Sequence, residues 1–235
     1  MASILWGMTA STLALSQSQI IEKLRRVPVF TVANDKGSPL LASGDNNNRM
    51  MGVFMSQKDA KEFVNKLKKE KPKLAQKVQV VALPLGRVYK IDQQNEGKSK
   101  DFDLNYVPME QEVQSALSVL KKQGKKAEDF QGVPLFFARG QQNQGFLTVK
   151  RGKNSEKVIP MFFEKEQLQQ MINKLKENQP QKAKSVTIDV TSLQSVLQSL
   201  EEKNNEQLKQ VILVPSQDSL QSLQQNSQSN SQQQN

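Results

Sequence analysis

Neither cysteine nor histidine occurs anywhere in the 235 residues. Without cysteine there is no disulfide framework and no thiolate nucleophile, and the composition leaves the redox compartment unmarked. Without histidine, zinc centres of the usual ligand set, Ser-His-Asp triads and imidazole proton shuttles are excluded, and most simple hydrolase schemes go with them. Aromatic residues make up only 6%, with one tryptophan. No RNP-type aromatic cluster, C2H2 spacing or arginine-rich arm is present to read a nucleic acid. Long apolar runs are missing too: the candidate at the amino end, "MASILWGMTASTLALSQSQ", is too short to cross a bilayer, which takes about 20 apolar residues.

Charge of one sign is what the chain has in excess. Thirty-three Lys and Arg against 23 Asp and Glu leave a net charge of +10, which suits nucleic acid, anionic head groups or acidic polypeptides. The excess is mostly lysine interleaved with acids, as in "KDAKEFVNKLKKEKPKLAQK" and "KKQGKK", the pattern of a solvated helix face. The expectation is therefore no nucleic-acid partner and at most peripheral membrane contact. With 36% hydrophobic residues the chain has material for one sizeable core or two small ones.

The two ends differ from the middle. The apolar start resembles a signal-peptide core, with Thr12 and Ala14 at the minus three and minus one positions of a cleavage site, although no Lys or Arg precedes Lys23. Export is the favoured reading, and an ordinary disordered or helical lead-in is the alternative. The carboxyl end loses its apolar residues after Leu223 and becomes a Ser/Gln/Asn tail, expected to be disordered over 224–235.

Between them the chain writes nearly the same ten residues twice: "FVNKLKKEKP" from Phe63 and "MINKLKENQP" from Met171. Asn65 and Asn173 stand 108 apart, and the offset continues outward. Ala60, Phe63, Val64 and Leu67 follow the spacing of a buried helical stripe, as do Leu168, Met171, Ile172 and Leu175. Both helices are expected to end at a proline, Pro72 or Pro180, and Ser56 with Asp59 resembles a capping box.

Strand-like runs precede each helix: "VPVFTV" and "VPLFFA" 106 apart, then "RMMGVFM" and "KVIPMFF", with Phe54 and Phe162 108 apart. Downstream, "YVPMEQEV" and "LVPSQDSL" sit 107 apart, each a strand end followed by a helix whose first turn the prolines Pro108 and Pro215 suit. Val113, Ala116, Leu117 and Leu120 form the stripe of the first closing helix. The expected fold class is mixed α/β, two similar strand-rich αβ halves related by an internal pseudo-twofold duplication. The expected boundaries are a leader over 1–19, repeats over 20–123 and 133–223, a linker over 124–132 and the tail over 224–235.

The ordered set "EKLRRVPVFTV", "GVFMSQKDAKEFVNKLKKEKP", "FQGVPLFFA", "GFLTVK", "VIPMFFEKEQLQQMINKLK" and "ILVPSQDSLQ" resembles the family of the twenty-two-kilodalton Tic component, soluble import-associated proteins of chloroplasts with cyanobacterial relatives. The resemblance covers nearly the whole chain and rests on order, since no single segment is a catalytic signature. It implies export to the periplasm or thylakoid lumen of a cyanobacterium, or a place between the envelope membranes of a plastid. It implies chaperone-like handling of unfolded or precursor polypeptides, next to Omp-family barrel-assembly or Toc/Tic translocon components, and it brings no catalytic residue, metal or cofactor.

A factor that holds unfolded chains needs exposed apolar surface. The candidates are Phe30, Phe54, Phe136, Phe137, Phe162 and Phe163, against the ordinary expectation that continuous apolar strands are core. Two other readings stand beside this one. One is a scaffold docked through "KKQGKK" or the glutamine-rich tail; the other is an enzyme or small-molecule binder with a carboxylate site drawn from Asp189, Glu164 and Glu166.

Overall fold

A computed structural model describes residues 14–43, 48–95, 102–126, 130–140, 145–183, 186–202 and 205–232. The first part of the chain runs α1 (Gln17–Leu24), β1 (Pro28–Asn34), β2 (Leu41–Ser43), β3 (Arg49–Phe54), α2 (Gln57–Glu70), α3 (Pro72–Ala75), β4 (Val78–Pro84), α4 (Leu85–Asn95), β5 (Asp103–Val107) and α5 (Glu110–Lys122). The second runs β6 (Pro134–Gly140), β7 (Val149–Arg151), β8 (Glu156–Phe162), α6 (Lys165–Asn178), α7 (Pro180–Ala183), β9 (Val186–Ser192), α8 (Leu193–Glu202), α9 (Glu206–Gln210), β10 (Val211–Val214) and α10 (Gln217–Gln232).

The chain is mixed α/β, and its two sheets share one pairing scheme. In the first, β1 lies antiparallel between β3 and β4, β2 pairs with the start of β3, and β5 pairs parallel with β3. The second repeats this with β6 between β8 and β9, β7 on the start of β8, and β10 parallel to β8. Even the register matches: Phe30 faces Phe54, and Phe136 faces Phe162.

Strand alternation then divides each apolar run between two cores. Val29, Met51, Val53 and Met55 of the first sheet point inward and join Leu135, Phe137, Ile159, Met161 and Phe163 of the second in one cluster, closed by Leu24 of α1, Leu85 of α4 and Leu193 of α8. The neighbours in sequence point outward. Phe30, Val32 and Phe54 pack under Ala60 and Val64 of α2, and Phe136, Ala138 and Phe162 pack under Leu168 and Ile172 of α6. A run such as "VPVFTV" is apolar throughout because both faces of the sheet are covered.

The helix closing each half crosses to the other. α5 follows β5 but packs on β6 and β9, burying Ala116 and Val119 there, while α10 follows β10 and lies against α2 and β1. Their acidic residues complete each other's partner helices. Glu112 of α5 accepts a hydrogen bond from the Lys165 amide at the start of α6, at 3.0 Å. Asp218 of α10 accepts from the Gln57 amide and the Ser56 hydroxyl at the start of α2, at 3.1 and 2.9 Å. Each carboxylate thus fills an orphan amide of a helix N-terminus and lies at its positive end.

The structure corrects several expectations. Pro72 and Pro180 do not end α2 and α6, which stop at Glu70 and Asn178; each proline opens the short helix that follows, where a missing amide is harmless. Pro108 and Pro215 precede α5 and α10 by two residues rather than standing in their first turns. Ser56 does accept from the Asp59 amide, as a capping box requires, but its partner from the acidic side is Asp218.

Within the expected leader, Ser16 caps α1 with Gln19 in a reciprocal box; Met1 to Leu13 lie outside the described residues. At the other end α10 continues to Gln232. Helical hydrogen bonds are local, so a helix needs no apolar face of its own to extend by two more turns. Of the expected linker, Ala127 to Asp129 lie outside the described residues, while Phe130 packs against the second outer core and Lys125 pairs with Asp189.

Candidate functional site

The six phenylalanines do not form an open surface. Phe30 and Phe136 are fully buried, and Phe54, Phe137, Phe162 and Phe163 are 7%, 4%, 7% and 3% exposed. Phe137 and Phe163 belong to the central core and the other four to the two outer cores. The physical reason is that β1, β3, β6 and β8 are covered on both faces where these rings stand, by the central core on one side and by α2 or α6 on the other. The one exception in kind is Phe54, whose ring also borders a cavity.

That cavity, about 260 Å³, lies on the outer face of the first sheet, between β2, β3 and β5 and the side of α2. Among the described residues it is lined by Val32, Leu40, Ala42, Met50, Gly52, Phe54, Phe63, Asn105 and Val107, none of them ionisable. Its origin is local. β1 pairs with β3 at Phe30 and Phe54 and then diverges, so the Thr31 hydroxyl, not an amide, donates to the Gly52 carbonyl at 2.9 Å, and β2 enters the gap. Gly52 has no side chain to fill the space: a Cβ there would stand 3.1 Å from the Phe54 ring.

Phe63 forms the outer wall. It is 37% exposed, although its helical spacing reads as core, and its ring centroid lies 5.5 Å from that of Phe54. Sequence pattern places Phe63 on the same stripe as Ala60, Val64 and Leu67 but carries no signal that this stripe overhangs the sheet. α2 reaches β4 as well as β1 and β3, whereas β9, the counterpart of β4, is covered by α5. α2 leaves the outer face of β3 and β5 open beside Gly52 and Asn105, and Phe63 stands at that margin.

The three carboxylates considered for chemistry are apart and engaged. Asp189 on β9 pairs with Lys125 at 3.5 Å and Arg139 at 3.2 Å, and Arg139 stacks over Phe137 and Phe146. Glu164 accepts from the Gln217 amide at the start of α10, and burial pushes its carboxyl upward, partly offset by that bond. Glu166 sits exposed in the first turn of α6. Glu112, which sequence reasoning passed over, is the buried carboxylate: desolvation pushes it upward, and the Lys165 amide pulls the other way. Among the described residues no three carboxylates gather in a metal-binding group, and no helix is long and apolar enough to cross a membrane.

Comparison with known proteins gives a consistent set of likenesses. The sequence profile of the Tic22-like family matches residues 5–226. The chain is 25% identical over 206 residues to the chloroplastic protein TIC 22-like of Arabidopsis thaliana, covering 86% of this chain and 61% of that protein. It thus spans less than two thirds of that relative. Chloroplastic TIC 22 of Pisum sativum is 24% identical, over 80% of this chain and 68% of its own. Among solved structures, Anabaena Tic22, described as a protein of protein transport, superposes with a TM-score of 0.79 at 32% identity, over 90% of this chain and 97% of its own. Tic22 from Plasmodium falciparum superposes at 0.72 with 22% identity, over 88% and 97%, a likeness of fold.

Proposed function

The chain belongs to the Tic22-like family, and from that premise we propose that it is a non-enzymatic, chaperone-like factor of protein import or outer-membrane biogenesis that shelters apolar side chains of client polypeptides in the cavity under Phe63. The observation that carries this reading is an open, uncharged cavity walled by an exposed phenylalanine on a chain otherwise coated with lysine. At about 260 Å³ it is smaller than the roughly 300–1,000 Å³ of small-molecule pockets, and its scale is that of a large side chain.

Burying one such side chain contributes about 1.5–3 kcal/mol, less than the ~4 kcal/mol of a millimolar complex. Capture at one cavity is therefore transient, which suits a protein that must release what it escorts. The site of action in this reading is outside the cytosol, in the periplasm or thylakoid lumen, or between plastid envelope membranes. The clients are unfolded precursors, and the neighbouring machines are translocon or barrel-assembly components.

The test is suppression of aggregation of a thermally unfolded client by the full chain and by Phe63→Asp. Phe63 is exposed enough for the variant to fold, and it is expected to lose most of the holding activity while retaining its Tm within a few degrees. Holding that is unchanged in Phe63→Asp overturns the cavity as the site. Holding that disappears instead on removal of 224–235 favours the scaffold reading.

A further inference from the structure

The second sheet carries a different surface. β10 is at its edge, pairing with β8 alone. The Phe163 amide donates to the Val214 carbonyl, so Val214 and Ile212 aim their backbone groups at β8, and strand alternation aims those of Val211 and Leu213 outward. Lys23 of α1 marks the same side: its ammonium donates to the carbonyls of Lys209 and Val211. Burial pushes that ammonium below the usual lysine range, and Glu156 opposes the shift.

Along this edge runs a groove of about 740 Å³, floored by Val211 to Pro215 and walled by Lys23, Arg26 and Glu22 of α1, the last paired with Arg25, by Arg151 and Glu156 of the β7–β8 hairpin, and by Leu220 of α10. Leu220 is 41% exposed. Neither Arg26 nor Arg151 forms an ion pair with a carboxylate among the described residues. An apolar edge strand with outward donors and acceptors is a template for another strand, and proteins commonly blunt such edges with lysine. Here Lys23 blunts only the beginning of β10, and Leu213 lies beyond it.

We propose that this groove takes an extended polypeptide segment rich in acidic side chains, which adds to β10 as an outer strand, bonds through its backbone to Leu213 and sets its carboxylates against Arg26 and Arg151. A peptide backbone is the occupant the edge calls for, because it alone supplies alternating donors and acceptors at strand spacing. The two guanidinium groups select an acidic sequence, since each forms its strongest hydrogen bonds with carboxylates. The groove belongs to the second sheet and α1, apart from the cavity on the first, so it does not depend on the client reading above.

The experiment uses the full chain and a fluorescein-labelled peptide of about eight residues alternating Val and Glu, read by polarisation. The expected result is binding that weakens with salt, about tenfold loss in the Arg26→Glu/Arg151→Glu double variant, and no change in Phe63→Asp. On saturation, hydrogen exchange at the Leu213 amide is expected to slow about tenfold, whereas a version of the peptide N-methylated along one edge fails to bind. The proposal is overturned by absence of binding, by equal binding of a Val/Lys peptide, or by a bound peptide that leaves Leu213 exchange unchanged. The arginines are on the surface, and an unchanged Tm in the double variant separates lost binding from lost folding.

Discussion

The outer faces of the two sheets are built from corresponding residues, yet one is open and the other filled. Gly52 of the first stands where the second has the buried Pro160, Phe63 where it has the half-buried Met171, and Asn105 where it has Ile212. The crossing helices differ in the same sense. α5 buries Ala116 and Val119 against the second sheet, whereas α10 turns Ser219 and Ser222 inward and leaves Leu220 and Leu223 exposed. Ser219 is satisfied by donating to the Met55 carbonyl at 3.0 Å, and Ser222 by donating to Asp218 within its own helix. The difference teaches how one topology holds a purely structural face and a candidate binding face: cover of the first sheet has been exchanged for polar bonds and a gap.

The comparison can be broken first at its strongest point. Phe30→Ala and Phe136→Ala remove matching, fully buried rings, and each is expected to cost about 3–5 kcal/mol in urea denaturation. A loss confined to Phe136 would mean that the first outer core is not organised as the second is. Next come the crossed caps. Asp218→Ala frees the Gln57 amide and the Ser56 hydroxyl and is expected to cost about 1–2 kcal/mol, measured by thermal melting.

Filling the gap sharpens the contrast with a smaller effect. Gly52→Ala removes glycine's excess unfolded-state entropy and adds a methyl to the cavity, while asking the Phe54 ring to move a few tenths of an ångström. A gain of up to about 1 kcal/mol is expected, together with weaker client holding. Stability that rises with holding unchanged would separate the cavity from the activity.

The smallest effect concerns pH. Burial raises the folded-state pKa of Glu112, so its carboxyl favours folding when protonated; that contribution is present below the ordinary carboxylate range and is lost as pH rises through the raised folded value. Glu112→Gln keeps an acceptor for the Lys165 amide without the charge. Its stability relative to the parent is therefore expected to improve from acid to neutral pH, read from urea midpoints at several pH values. A relative stability that falls over that interval would show that the ionised form is the favoured one.

How much of this was legible in the chain follows from where each signal resides. The offset landmarks marked strands and helices correctly, because hydrophobic period and turn chemistry are local. "VPVFTV" and "VPLFFA" became β1 and β6, and the two NKLK segments became α2 and α6. The six phenylalanines were legible as apolar but not as core, since an all-apolar strand looks the same whether its second face meets a helix or a client. Asp218 and Glu112 gave no sign of their roles, for each caps a helix more than fifty residues away in sequence.

Composition alone determined that this sequence offers no cysteine or histidine chemistry, and the order of its segments determined a mixed α/β chain. Tertiary structure alone decided which face of each strand is central, that α5 and α10 cross between halves, and that Phe63 and Phe54 border open space while the other strand phenylalanines are enclosed. The reason is that local propensities act along the chain, whereas exposure depends on what a distant segment covers. The start of α2, for instance, is capped by Asp218 of α10, which lies more than 150 positions along the chain from Ser56 and Gln57.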